Sequence, residues 1–170
     1  MKSFRIFLVL SILCLIAPAR SQADSSLFDA QNARKLDTTE VKAFGPKAGK
    51  FRYDKTMLNA ARIAADRAHA RSQSSCWRYV KQALLAAKTI DSYPKTAYAK
   101  QAAAELTNDY GFQKLSISDP FKAPLGAVLV YGGGGAGHVE IRTETGFVSD
   151  FSTTRPSKRP LIGVFVKPRV

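Results

Sequence analysis

The sequence predicts an α+β domain in which N-terminal helices pack on an antiparallel β-sheet. Residues 56–108 are rich in alanine and carry apolar side chains at helical spacing. From Phe112 onward, β-branched and aromatic residues alternate with turn residues, which is typical of strands. Helices that precede the strands, without alternating with them, favour an antiparallel sheet over a parallel one.

Three helices are predicted in the alanine-rich part. The first covers residues 57–71 and the second begins after Gln73. The third covers residues 96–108 and is expected to stop near Gly111, since glycine commonly ends helices. The alternating pattern then predicts five strands, at residues 112–115, 127–131, 138–143, 147–151 and 162–167.

The first 23 residues have the pattern of an export signal. Lys2 and Arg5 form a basic start, residues 6–17 are apolar, and residues 21–23 offer small side chains for cleavage. We therefore expect a secreted or periplasmic protein. Cleavage of the signal removes three basic residues and no acidic one, which leaves a mature chain of 147 residues with a net charge of +10.

The mature chain divides into two parts by composition. Residues 24–55 are polar, contain Gly45, Pro46 and Gly49, and show no sustained period, which predicts an arm or linker. Residues 56–170 are expected to form one domain. No segment after the signal is apolar over the roughly 20 residues that a transmembrane helix needs.

The mature chain keeps one cysteine, Cys76, because Cys14 leaves with the signal. A single cysteine in an exported protein is a buried inert thiol, half of an intermolecular disulfide, or a nucleophile. The local sequence favours the nucleophile. Ser74 and Ser75 are good helix N-caps, which places Cys76 in the first helical turn. There the free N–H groups and the helix dipole favour a thiolate.

A histidine that suits a general base follows a glycine-rich loop. His138 comes directly after residues 132–137, which are five glycines and one alanine. Such a loop lets another backbone or a substrate approach closely. It is not a phosphate-binding loop, since it leads into a strand and lacks the Lys-Ser/Thr ending. The alternative is a strand-end histidine whose partner is water.

Hairpin geometry suggests a third member of the site. A three-residue turn at 144–146 would place Asp150 on the same sheet face as His138, diagonally across the strand pair. A two-residue turn would send Asp150 to the other face. Glu140 also shares a face with His138 because strand side chains alternate. It is either a rival orienting carboxylate or, as the more expected role, the ion-pair partner of Arg142.

Three segments resemble the CHAP domain, a family of cysteine, histidine-dependent amidohydrolases and peptidases related to the NlpC-type cell-wall peptidases. They are Cys-Trp-Arg-Tyr-Val at 76–80, Pro-Leu-Gly-Ala-Val-Leu-Val-Tyr at 124–131 and Gly-His-Val-Glu-Ile at 137–141. The likeness covers about residues 56–170. It implies a papain-like α+β fold and cleavage of amide bonds in peptidoglycan, with Cys76 as nucleophile, His138 as base and Asp150 as orienting acid.

Two positions depart from the family pattern. The family usually has a small apolar residue where Glu140 stands, and often a Glu followed two places later by Asn where this chain has Asp150 and Ser152. The resemblance therefore leaves Glu140 as an alternative third residue. It names no side chain for the second oxyanion donor, for which Gln73 and Tyr53 are candidates.

The positive charge of the chain predicts an anionic partner, and peptidoglycan or another anionic cell-wall polymer fits an exported protein. No nucleic-acid motif is present. We expect no cofactor and no metal, because His69 is the only histidine besides His138. Two other functions fit the same composition. One is a non-catalytic cell-wall-binding protein, and the other is a binder of anionic lipid or nucleic acid.

Overall fold

The computed structural model describes residues 53–169. The predicted export signal, Cys14 and residues 24–52 of the predicted arm lie outside the described residues. Within residues 53–169, no helix is both long enough and apolar enough to cross a membrane.

Three α-helices form the N-terminal half of the described chain: α1 (Thr56–Asp66), α2 (Cys76–Ala86) and α3 (Ala102–Tyr110). A 3-10 turn at Ala99–Gln101 leads into α3, and a second one lies at Pro120–Lys122. The predicted stop at Gly111 is confirmed, with the glycine in the left-handed conformation at φ +69°. Helix α1 ends at Asp66, five residues earlier than predicted. The chain leaves the helix there, and the His69 N–H donates to the Asp150 carbonyl.

Six strands form one sheet in the order β1-β6-β2-β3-β4-β5, and every neighbouring pair is antiparallel. This confirms the α+β class and the antiparallel sheet. The strands are β1 (Gln113–Leu115), β2 (Val128–Tyr131), β3 (His138–Arg142), β4 (Phe147–Val148), β5 (Ser152–Thr153) and β6 (Leu161–Val166).

The core lies between the helices and the sheet. Strand β2 sits near the middle of the sheet, and all four of its residues are buried, as its unbroken apolar sequence predicts. Helix α2 packs on β3 and against α1. The buried alanines Ala60, Ala64 and Ala83 allow these helices to approach closely. The packing therefore fixes the first residue of α2 relative to the first residue of β3.

Two residues before the predicted domain boundary pair with the C-terminal end of the sheet. The Asp54 N–H donates to the Lys167 carbonyl at 2.8 Å, and Tyr53 bridges to Pro168. The Asp54 carboxylate also accepts the Thr56 N–H at 2.9 Å, which satisfies one of the free donors at the start of α1. The start of α1 is thus tied to the end of the chain.

The hairpin between β3 and β4 differs from the prediction. Arg142 pairs with Phe147 and Ile141 with Val148, so the connection has four residues and the predicted register is wrong by one. The predicted strand at 147–151 also breaks after Val148, since the chain turns back and Ser152 pairs with Val148 in β5. Asp150 consequently lies in the turn between β4 and β5.

Gly146 permits the close crossing of these strands. A side chain there would begin 2.1 Å from the Thr153 carbonyl oxygen and 2.8 Å from the Thr154 Cα. Both neighbours are backbone and cannot move aside without separating β4 from β5. The hairpin register therefore depends on the absence of a side chain at this position.

We expect Gly146→Ala to destabilise the fold much more than Gly111→Ala. Both glycines have positive φ, but a Cβ at Gly111 meets nothing within 4 Å. The Gly111 change should cost only the conformational penalty, about 1 kcal/mol, whereas the clash should bring Gly146→Ala to roughly 3 kcal/mol or more. Urea unfolding measures both free energies. Equal losses would show that the strand crossing is not the constraint.

Candidate active site

Cys76 is the first residue of helix α2, with Ser75 as the N-cap. The prediction that Cys76 lies in the first helical turn is confirmed. The thiol is free and partly buried. The Ser75 carbonyl accepts the first bond of the helix, from the Tyr79 N–H at 3.1 Å. The N–H groups of the first turn have no acceptor within the helix, so they can bind a developing negative charge beside the thiol.

His138 is the first residue of β3 and lies opposite Tyr131, the last residue of β2. The glycine-rich loop allows this arrangement. A side chain at Gly137 would begin 2.6 Å from the Tyr131 carbonyl oxygen and 2.8 Å from the Lys100 Cβ. The expected close approach of other backbone is therefore confirmed at the residue directly before His138.

The structure brings Cys76, His138 and Glu140 together. The His138 side chain is 16% exposed, and its Nε2 lies 3.3 Å from the Glu140 Oε2. Cys76 lies close enough to the imidazole to raise the pKa of His138. Since Nε2 faces the carboxylate, Nδ1 is the ring nitrogen that remains for the thiol. The imidazole thus stands between a nucleophile and a carboxylate.

Glu140 is 1% exposed, and its charge is compensated locally. The Tyr131 hydroxyl donates to Oε1 at 2.6 Å, and the Ser157 N–H donates to the same oxygen at 3.3 Å. The predicted ion pair with Arg142 is wrong. The Arg142 guanidinium instead donates to the Thr143 and Gly146 carbonyls in the β3–β4 turn.

The buried site shifts the pKa values of its members. Burial alone would lower the pKa of His138, but hydrogen bonds to Cys76 and Glu140 and the charges of both outweigh it and raise that pKa to about 9. Burial and the hydrogen bond to Glu140 raise the pKa of Tyr131, which stays a neutral donor. The stability contributed by His138 is therefore fully present below about pH 6.5 and is lost as the pH rises through about 9.

The structure places Asp150 away from the role predicted for it. The predicted register is absent, and no hydrogen bond joins Asp150 to His138 among the described residues. The Asp150 Oδ2 accepts the Gln73 N–H at 2.6 Å, the Ser75 N–H at 3.1 Å and the Ser72 hydroxyl at 3.3 Å. The Ser149 hydroxyl donates to Oδ1 at 3.0 Å. Asp150 therefore contacts the segment that leads into Cys76.

The contacts of Gln73 and Tyr53, the two side chains considered for the second oxyanion donor, lie elsewhere in the structure. The Gln73 side-chain amide donates to the Arg71 carbonyl at 3.1 Å. Tyr53 is buried beside Pro168 at the C-terminal end of the sheet. The Cys76 N–H is thus the oxyanion donor that the helix geometry supports directly.

His69 hydrogen-bonds to the Tyr79 hydroxyl and lies edge-on to its ring. In the part of the chain that the structure describes, no group of three or more His, Cys, Asp or Glu side chains is arranged to hold a metal ion.

No known family model matches the sequence, and no curated protein matches it. One solved chain is similar, from the crystal structure of the type VI native effector-immunity complex Tae3-Tai3 from Ralstonia pickettii. The likeness has a TM-score of 0.49 and 22% sequence identity, and it covers 66% of this chain and 97% of the other.

We expect the His138 imidazole to titrate near pH 9 in the native protein. Cys76→Ala and Glu140→Gln should each lower its pKa, because each removes a hydrogen-bond partner and a negative charge while the burial remains. ¹⁵N-histidine NMR measures the titration, and His69→Gln leaves a single histidine signal for the assignment.

Ser149→Ala is the matched control, since Ser149 contacts Asp150 and not the imidazole. It should leave the titration unchanged. An imidazole that titrates at or below its ordinary value in the native protein would contradict the contacts of His138.

Proposed function

We propose that this protein is an exported, cysteine-dependent hydrolase that cuts an amide bond of peptidoglycan, as an amidase or an endopeptidase. The observation that carries the proposal is the position of the His138 imidazole between the Cys76 thiol and the buried Glu140 carboxylate. A nucleophile, a base and an orienting carboxylate in hydrogen-bond contact are the requirements of acyl transfer. The resemblance to CHAP domains supports peptidoglycan as the substrate.

The proposed first half-reaction makes a thioester. The Cys76 proton resides on His138, and the Cys76 sulfur attacks the amide carbonyl carbon to form the C–S bond. The carbonyl electron pair moves to oxygen, where the Cys76 N–H donates to the oxyanion. As the intermediate collapses, the C–N bond breaks and His138 gives its proton to the leaving amine.

Water completes the reaction. Neutral His138 takes a proton from a water molecule that attacks the thioester carbon, and the C–S bond breaks. The products are a carboxylic acid and the Cys76 thiolate, and the proton is held again by His138. These two half-reactions need no oxidant, reductant or metal ion. Glu140 holds the imidazole in place and stabilises its charged form in both half-reactions.

We assign the orienting role to Glu140 and not to Asp150, which was the position implied by the family resemblance. Glu140 contacts the imidazole, whereas Asp150 bonds the main chain before Cys76. The departure of this chain from the family pattern supports the assignment, since an acidic residue stands two positions after His138.

The loops around the site favour an anionic substrate. The Lys100 N–H donates to the Ala136 carbonyl, and the Arg159 guanidinium donates to the Gly134 carbonyl at 2.7 Å. Both residues therefore border the glycine-rich loop before His138. Residues 67–75, 96–100, 132–137 and 151–160 contain no acidic residue. They expose the cations Arg67, Arg71, Lys100, Arg155, Lys158 and Arg159.

We expect the exported protein to release soluble fragments from purified peptidoglycan, and Cys76→Ala to release none. The thiol is the group that forms the covalent intermediate, so no other side chain replaces it. Mass spectrometry of the fragments identifies the bond that is cut. Binding to the wall is measured in parallel by sedimentation, because the cationic loops remain in the variant.

The outcomes separate enzyme from binding protein. Fragments from the native protein alone support the hydrolase. If both proteins sediment with the wall and neither releases fragments, the non-catalytic wall-binding function replaces it.

Glu140→Gln should lower kcat by roughly 100-fold, because the variant keeps an oxygen for the imidazole but loses the charge that favours its protonated form. The high-pH limb of the kcat profile should move to lower pH together with the pKa of His138. Both quantities come from steady-state rates on soluble muropeptides. An unchanged rate and pH profile would remove Glu140 from the mechanism.

A further inference from the structure

We propose that Asp150 is a positioning residue that sets the direction of the Cys76 N–H through the main chain of the preceding turn. The proposal rests on the function proposed above. It concerns the Ser72–Ser75 turn, defined as residues 72–75, and it gives Asp150 a role that acts on the nucleophile and not on the base.

The Ser72–Ser75 turn wraps around one carboxylate oxygen. The N–H groups of Gln73 and Ser75 both donate to the Asp150 Oδ2, while Ser74 between them has φ +54°. Two N–H groups that flank a left-handed residue and converge on one oxygen form an anion-binding nest. Here the anion is a side chain of the same protein.

The left-handed Ser74 requires such support. A non-glycine residue in this conformation costs about 1 kcal/mol or more, so it persists only when the surroundings hold it. The Ser72 hydroxyl adds to the support by accepting the Ser74 N–H at 3.2 Å and by donating to Asp150 at 3.3 Å. The carboxylate and the Ser72 hydroxyl together hold all three peptide N–H groups from Gln73 to Ser75.

The carboxylate is held firmly enough to act as an anchor. Asp150 is fully buried, and its own carbonyl accepts the His69 N–H at 2.8 Å. Burial alone would raise the pKa of Asp150, but the hydrogen bonds from Ser75, Gln73 and Ser149 outweigh it and hold that pKa below its usual value. The group is therefore charged at the pH of the reaction.

The consequence for catalysis follows from the peptide planes. Asp150 fixes the Ser74–Ser75 peptide through the Ser75 N–H, and Tyr79 fixes the next peptide through the Ser75 carbonyl. The Cys76 N–H belongs to that second peptide and points opposite to its carbonyl. The oxyanion donor's peptide and the peptide before it are thus each held by a hydrogen bond before the substrate arrives, as electrostatic preorganisation requires.

The test is Asp150→Asn, which keeps the shape of the side chain and removes its charge. We expect kcat on soluble muropeptides to fall at least about 10-fold, with KM changed less than about 2-fold, because the oxyanion exists only along the reaction path. Alkylation of Cys76 by iodoacetamide forms no oxyanion. In Asp150→Asn the alkylation rate should therefore stay within about 2-fold of the native rate, and its pH profile should be unchanged.

Two further variants keep the test decisive. Ser74→Val leaves Asp150 in place but disfavours the left-handed conformation, so it should reproduce the loss in kcat even if Asp150→Asn does not fold. Thr107→Ala removes an exposed hydroxyl that donates to the Ala103 carbonyl within α3, and it should keep native kinetics. Circular dichroism and urea unfolding verify the fold of each variant.

Each result has one meaning. An unchanged kcat in folded Asp150→Asn overturns the positioning role. A shifted pH profile of alkylation overturns it as well, since that result places Asp150 in the control of His138. If the native protein cuts no muropeptide, the proposed hydrolase fails. The nest is then judged by amide hydrogen exchange at Gln73 and Ser75, which should be faster in Asp150→Asn.

Discussion

The buried carboxylate of Glu140 is the constraint on which the arrangement of the site depends. Removing a carboxylate from water costs several kcal/mol unless partners replace the lost hydration. The Tyr131 hydroxyl and the Ser157 N–H bind one of its oxygens, and the His138 imidazole binds the other. Among the described residues, His138 is the ion-pair partner of Glu140. The need to compensate the buried charge therefore holds the imidazole in its protonated form and in one orientation.

Two buried carboxylates have different tasks because their partners differ. Glu140 faces an ionisable ring, so it raises the pKa of His138. Asp150 accepts hydrogen bonds from main-chain N–H groups and two serine hydroxyls, so it stabilises the conformation of the turn before Cys76. The sheet connects the two tasks, since α2 packs on β3 and thereby brings the Cys76 end of the helix to the first residue of the strand.

The sequence predicted the features that local chemistry determines. Paired serines predicted the helix start at Cys76, although the Ser75 side chain makes no capping hydrogen bond, and a glycine-rich loop predicted the strand start at His138. The hairpin register was not predictable from the turn residues alone, because it depends on Arg142 bonding two carbonyls in the turn and on Gly146 lying against Thr153. The alternation of strand side chains had placed Glu140 beside His138, but its hydrogen bonds from Tyr131 and Ser157 depend on how other segments fold against β3.

The proposed mechanism requires Cys76, His138 and Glu140 to act as one unit, in which the imidazole takes up the proton of the thiol. The most direct measurement is the rate of Cys76 alkylation by iodoacetamide from pH 4 to 9, in the native protein and in His138→Gln. We expect rapid alkylation at pH 6, where an ordinary thiol is almost fully protonated, and the loss of that reactivity in the variant. A native rate that follows the ionisation of a free thiol, unchanged by His138→Gln, would contradict the mechanism.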